Sequence, residues 1–330
     1  MTTAPRTAAP SGPAPASPAP AGARPSAVGA RDFARATATR QRRGARFKLW
    51  AGTVCTALVV LPVALAALLP LPGADAQDLS RRRLPPLSDG HLFGTDQLGR
   101  DLLSRILHGG QVSLTVGVLA VLVSGVIGVA AGAAAGFFGG WVDAVVSRLL
   151  EAQLALPLLM MLLLVVALFG PSVTVITCVI AVAQWPEVAR LTRSLVLVER
   201  EKPYVAAARV LGLRGWSVLG RHVIPNVIRP ASLVVLLLLA QAVLLESALS
   251  FLGAGPQRPF ATWGRIISDG QDYITTSWWL VTLPGLVIAL LVVGVNLIGD
   301  GLRDRTRAVK APRGARVPRG SRLARAKKGA

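Results

Sequence analysis

The strongest constraint on this fold is an uncharged run of residues from Ala152 to Pro186. One bilayer crossing takes ~20 apolar residues at 1.5 Å each over ~30 Å of hydrocarbon. The run is too long for one crossing, and Gly170-Pro171-Ser172 breaks it into spans of about 152–169 and 173–189. Further apolar runs cover about 49–71 (with Pro62 inside), 112–138, 231–252 and 278–298. Only helices or closed barrels satisfy their backbone within lipid. Uncharged runs of this length predict an all-α integral membrane protein with six transmembrane helices.

Charge supports the same class. Apolar residues make up 52% of the chain and charged residues 16%, against ~25% in soluble domains. Lys and Arg number 36 against 16 Asp and Glu. Nine of the basic residues precede the first span, eight lie in 190–229 and eleven follow Asp300, all on one face of a six-span model. On the other face, 72–110 balances five Arg with five Asp, and 253–277 balances Arg258 and Arg265 with Asp269 and Asp272. The excess of basic residues predicts cytoplasmic N and C termini and a cytoplasmic 190–230 loop. Four regions are expected: 1–48, a disordered basic cytoplasmic tail rich in Ala, Pro, Arg and Ser; 49–110, the first helix and an external loop; 111–300, the main transmembrane domain; and 301–330, a second basic tail. Such tails lie beside membrane lipid, and no nucleic-acid partner is expected.

Several classes of chemistry are excluded. Cys55 and Cys178 sit in separate apolar stretches, and His91, His108 and His222 are scattered, so no metal site is expected. No lysine follows a glycine, which rules out a Walker A loop in this chain. No nucleophile and base stand together, so no catalytic residue is assigned.

Three features remain. Gly128, Gly132 and Gly136 recur every fourth residue on one helix face, a spacing that lets backbones approach closely, within the subunit or against a partner. Glu246 is the one carboxylate well inside an uncharged span, and it either lines a substrate path or is held structurally by hydrogen bonds. The loop between the fourth and fifth spans predicts a helix over Tyr204–Leu211 stopped by Gly212, then a second short helix over Ser217–Val223 ended by Pro225.

That loop carries a resemblance. Ala206-Ala207-Ala208, three residues, Gly212, nine residues and His222-Val223-Ile224-Pro225 resemble the EAA loop of ABC importer permeases, with Ala206 in place of the motif Glu. HLFGTDQLGRDLLSRILHGG (91–110), GFFGGWVD (136–143), ESALSFLGAG (246–255), ATWGRIISDG and NLIGDGLRD are similar to segments of the dipeptide/oligopeptide/nickel permeases, in their second permease subunit. The resemblance implies a type I ABC importer transmembrane domain in a bacterial inner membrane. It implies a homologous permease partner, two ABC ATPase subunits that use ATP and Mg, and an extracytoplasmic substrate-binding protein. This chain would bind no cofactor and perform no catalysis. Peptides are the expected substrate, nickel is the alternative, and a stand-alone ion-coupled carrier is the competing class. Tyr204, Ala206, Ala207, Ala208, Arg209, Gly212, Arg214 and Pro225 would form the element that couples to the ATPase.

Overall fold

A computed structural model of the chain describes residues 27–257 and 260–310. Among the described residues the α-helices are α1 (Ala27–Ala64), α2 (Leu102–Phe138), α3 (Gly140–Leu154), α4 (Leu158–Phe169), α5 (Val173–Arg200), α6 (Pro203–Val210), α7 (Gly215–Val218), α8 (Ile224–Phe251), α9 (Trp263–Gly270) and α10 (Trp279–Lys310). Five stretches are long and apolar enough to cross a membrane: Arg43–Ala64, Leu102–Phe138, Val173–Arg200, Gly215–Phe251 and Trp279–Arg305. The pair α3 and α4, bent by 90° at its break, makes a sixth if counted as one broken span.

The expected third span at 152–169 therefore takes a different form. α4 has 12 residues, ~18 Å of helix, too short to cross alone. Pro157 stands at its start and biases Leu156 away from helical backbone, so the helix breaks there. Two other boundaries move outward. α2 starts at Leu102 rather than near 112, because the Asp101 carboxylate caps it by accepting from the Ser104 N–H at 2.7 Å. α1 starts at Ala27, inside the expected disordered tail. Ala and Arg are strong helix formers, and the membrane helix supplies the nucleus from which they extend. The remaining parts of both expected tails, 1–26 and 311–330, lie outside the described residues.

Two apolar clusters fill the bundle. Val63, Leu102, Ile106, Val243, Trp263 and Leu291 centre one that joins α1, α2, α8, α9 and α10. Val116, Leu162, Ile176, Ile180, Leu238 and Leu249 centre another that joins α2, α4, α5 and α8. Leu122, Val126, Leu164, Leu168 and Leu286 point away from the protein, as lipid-facing side chains do. Lys48 of α1 meets Asp304 of α10 at 2.9 Å, so these parts of the first and last helices lie at one end of the bundle.

The opposite end is closed by 72–101, α9 and the first turn of α2. Asp96 organises it. One carboxylate oxygen accepts the backbone N–H groups of Leu98 and Arg100 at 2.8 and 2.9 Å. The other accepts Arg100 Nε and Arg105 Nη1, both at 2.7 Å. Arg105 reaches across to Asp269 of α9 at 3.2 Å, and Arg265 meets Asp269 at 3.3 Å. Gly99, at φ +73°, passes so close to the Asp78 carbonyl that no side chain fits there. The spacing of Gly94, Thr95, Asp96, Gly99, Arg100, Asp101 and Arg105 is thus the wiring of a buried ionic knot.

Candidate functional site

At the basic end the polypeptide between α5 and α8 folds into a knob. α6 ends at Val210, and Gly212 takes φ +75°, the left-handed turn that its identity implied. The Leu213 N–H then returns to the Ala208 carbonyl at 3.2 Å. Ala208, Val205, Val218, Leu219 and Val223 pack on Ala133 and Phe137 of α2, Val196 of α5 and Val227 of α8. This apolar footing fixes the knob to three membrane helices. Phe138 meets Trp216 at 4.4 Å between ring centroids, and the Arg209 guanidinium lies 5.2 Å from the Phe137 ring centroid.

Polar contacts hold the base. The Tyr204 hydroxyl donates to Glu199 at 2.5 Å, and Lys202 pairs with the same carboxylate at 2.6 Å. Asn226 donates to the Tyr204 oxygen at 3.2 Å and to the His222 carbonyl at 2.8 Å. Burial, and then the Glu199 carboxylate, hold the Tyr204 phenol above its ordinary pKa, so it remains a donor at neutral pH. Sequence reasoning missed Glu199 and Asn226. Glu199 meets the phenol across the break between α5 and α6, and Asn226 meets it only after the chain has turned at Gly212, so nothing in their spacing signals the shared partner.

The structure divides the predicted loop residues. Ala206, Ala207, Arg214 and most of Arg209 face outward, with Val210, Leu211 and Trp216 at 87%, 80% and 69% exposure. Ala208 faces inward and belongs to the footing. Pro225 does not end a helix. α7 continues through a π turn at Leu219–Val223 into α8, with the Ile224 N–H bonded to the Leu219 carbonyl five residues back. Pro225 follows that turn directly, in the first residues of α8, and the helix runs on through it.

Gly128, Gly132 and Gly136 face α5. A side chain at Gly128 would meet Val188 at 2.5 Å, one at Gly132 would overlap the Ala189 carbonyl, and one at Gly136 would meet the Arg193 carbonyl at 2.9 Å. The stripe packs within the subunit. Arg193 also clasps Asp143 of α3 at 2.5 and 2.7 Å, and Arg200 donates to the Gly136 carbonyl at 2.8 Å.

Glu246 is fully buried. Ser250 donates to its carboxylate at 2.6 Å, and the hydroxyls of Ser113, Ser247 and Thr262 also face it. Ser113 in turn accepts the Trp263 N–H, and Thr262 caps α9. Glu246 is the hub where α2, α8 and α9 meet, held by hydrogen bonds inside this subunit.

A polar cleft of about 310 Å³ opens elsewhere, between α5, α8 and α10. Glu187, Gln241, Asn296 and Arg303 line it beside Leu244 and Val292. Glu187 directly follows the uncharged run that ends at Pro186, and α5 continues past it to Arg200. Among the described residues, no group of three or more His, Cys, Asp or Glu is placed to hold a metal.

Known proteins share this organisation. The family model described as "Binding-protein-dependent transport system inner membrane component" matches residues 128–308, more than half of the chain. A putative peptide transport system permease protein of Brucella suis biovar 1 is 36% identical over 268 residues, covering 81% of this chain and 89% of that one. The probable D,D-dipeptide transport system permease protein DdpC of Escherichia coli K12 is 37% identical over 251 residues, covering 76% and 84%. The oligopeptide transport system permease protein OppC of the same organism is 38% identical over 255 residues, covering 77% and 84%. In structure, the chain resembles a chain of the MetNI methionine ABC transporter solved in inward-facing conformations. The TM-score is 0.50 at 17% identity, covering 61% of this chain and 95% of that one, a likeness of fold. Five long apolar stretches and a broken sixth, with relatives along most of its length, make this chain a member of the binding-protein-dependent transport system inner membrane components, the multi-pass permeases of ABC importers.

Proposed function

We propose that the chain is one of two homologous permease subunits that together form a translocation path for short peptides. The names of its relatives support that substrate class, and no observation favours nickel. In this reading two ATPase subunits bind and hydrolyse ATP with Mg, an extracytoplasmic binding protein delivers the peptide, and this chain performs no covalent chemistry. Residues 72–101 and 253–277 face outward and the termini and the knob face the cytoplasm, as the basic residues require.

The observation that carries the coupling role is the exposed apolar tip of a rigidly footed knob. Val210, Leu211 and Trp216 stand in solvent at an end of the protein otherwise rich in arginine. Exposed apolar clusters of this kind mark protein contacts. Docked into an ATPase groove, the tip would move with that subunit, and its footing on α2, α5 and α8 would pass the motion to the helices around the cleft. Ala206 and Ala207 keep that surface of α6 low, and Arg209 and Arg214 offer charge at its rim.

Uptake of labelled dipeptides, longer peptides and nickel ions in a strain lacking this subunit tests the substrate. Restoration of peptide uptake by the gene is expected; restored nickel uptake without peptide uptake would overturn the reading. Orientation is tested by an impermeant thiol reagent on single cysteines at Ser88 or Ser217, in a chain lacking Cys55 and Cys178. Position 88 should label from outside, and labelling of 217 in intact cells would reverse the topology.

A further inference from the structure

Neither the knob nor the cleft uses a groove of about 810 Å³ between α1 and α10 at the basic end. Arg43, Arg46, Phe47 and Trp50 share one face of α1, at offsets of three, four and seven residues. Leu302 and Arg305 of α10 form the other wall. Phe47 and Trp50 are 68% and 67% exposed. The nearby acids are turned to another partner: Lys48 holds Asp304 at 2.9 Å and also feels Asp300. Among the described residues, none of the three groove arginines pairs with a carboxylate.

Depth sets what such a groove can hold. The uncharged run opens at Leu49, so Arg43 and Arg46 stand within two turns of it at headgroup level, and Trp50 lies ~10 Å beyond Arg43 along the helix. Guanidiniums above an aromatic and aliphatic wall match a phosphodiester that carries acyl chains, because the planar fork of Arg takes phosphate oxygens in pairs. A zwitterionic lipid would bring a cation beside three others. Side chains of the flanking segments do not supply the anion: residues 1–26 and 311–330 carry two and seven Arg or Lys and no Asp or Glu.

We propose that this groove is a binding site for an anionic phospholipid of the leaflet at the basic end, with the phosphate held by Arg43, Arg46 and Arg305 and the acyl chains laid along Phe47 and Trp50. The site would tie assembly of α1 with α10 to the anionic lipid of the cytoplasmic leaflet, given the orientation stated above.

The assembled transporter, delipidated and titrated with phosphatidylglycerol or phosphatidylcholine in mixed micelles, tests this by native mass spectrometry of retained lipid. Phosphatidylglycerol should be retained and phosphatidylcholine not. Replacing Arg43, Arg46 and Arg305 together by Gln should weaken retention by about fivefold per arginine, roughly a hundredfold in all. Replacing the tail residues Arg313, Arg316 and Arg319 by Gln removes equal charge and should leave retention intact. Thr53→Trp keeps every arginine but fills the wall of the groove, and should also abolish retention, which decides the matter if the triple variant does not assemble. Unchanged retention in the groove variants, or an equal loss in the tail variant, would overturn the proposal. So would displacement of the lipid by an equal concentration of glycerol phosphate, which would show a soluble-anion site instead.

Discussion

The two ends of this bundle use opposite chemistry. At the loop end, Asp96, Arg100 and Arg105 are almost fully buried and pair with one another, with Asp269 drawn in from α9, although Arg100 Nη2 and Arg105 Nε keep no hydrogen-bond partner. At the basic end, Val210, Leu211 and Trp216 are apolar yet stand exposed on a compact apolar footing. Buried charge with internal partners marks a surface that the chain completes by itself. Exposed apolar side chains on a rigid support mark one that another protein completes. On the proposed function, the difference separates a cap that holds helices together from a contact that transmits motion.

The sharpest test of that contrast is Asp96→Ala. It leaves two buried arginines without their shared carboxylate, and the expected loss is about 3–5 kcal/mol, read as a fall in the thermal midpoint of the purified complex or a failure to accumulate. A loss no larger than that of an exposed residue would mean the loop end is not a closed knot. Ala208→Leu follows, because it forces added bulk into the knob's footing and should cost about 1–3 kcal/mol in the same assay. A stable protein that merely fails to bind the ATPase would put Ala208 back on the docking face.

Glu246→Leu comes next. It strips the acceptor from Ser250 and its neighbouring hydroxyls, an expected loss of about 1–3 kcal/mol, whereas Glu246→Gln keeps an acceptor oxygen and should retain most stability and transport. Loss of transport in a fully stable Gln variant would restore Glu246 to the substrate path. The smallest stability change is expected for Leu211→Ser and Trp216→Ala, within about 0.5 kcal/mol. Both should nonetheless reduce ATPase co-purification and substrate-stimulated ATP hydrolysis. Full stimulation in both would remove the distinction between the two ends.

Much of the plan was legible before any coordinates, because lipid enforces it locally. Uncharged runs, the sided arginines and the glycine at 212 each report a constraint that acts within a few residues. The break at Gly170-Pro171-Ser172 was equally plain, since α4 ends at Phe169 and α5 starts at Val173. Reading failed where local signals carry two meanings. Pro225 looks like a stop yet α8 runs on through it, and Pro157 inside an apolar run bends a span that hydropathy draws straight. Trp185 looks like an interfacial anchor; α5 runs on past it, and its indole donates to Gln153 at 2.8 Å.

The sequence by itself determined that this chain crosses a membrane several times, which ends of its helices share a side, and which glycines leave room for a neighbour. Only the tertiary structure decided who that neighbour is: α5 for the glycine stripe, α9 for Arg105, the footing for Ala208, and the α2–α8–α9 junction for Glu246. The reason is range. Hydropathy and backbone conformation act along a few consecutive residues, whereas Arg105 and Asp269 stand 164 positions apart and meet only once the helices are packed.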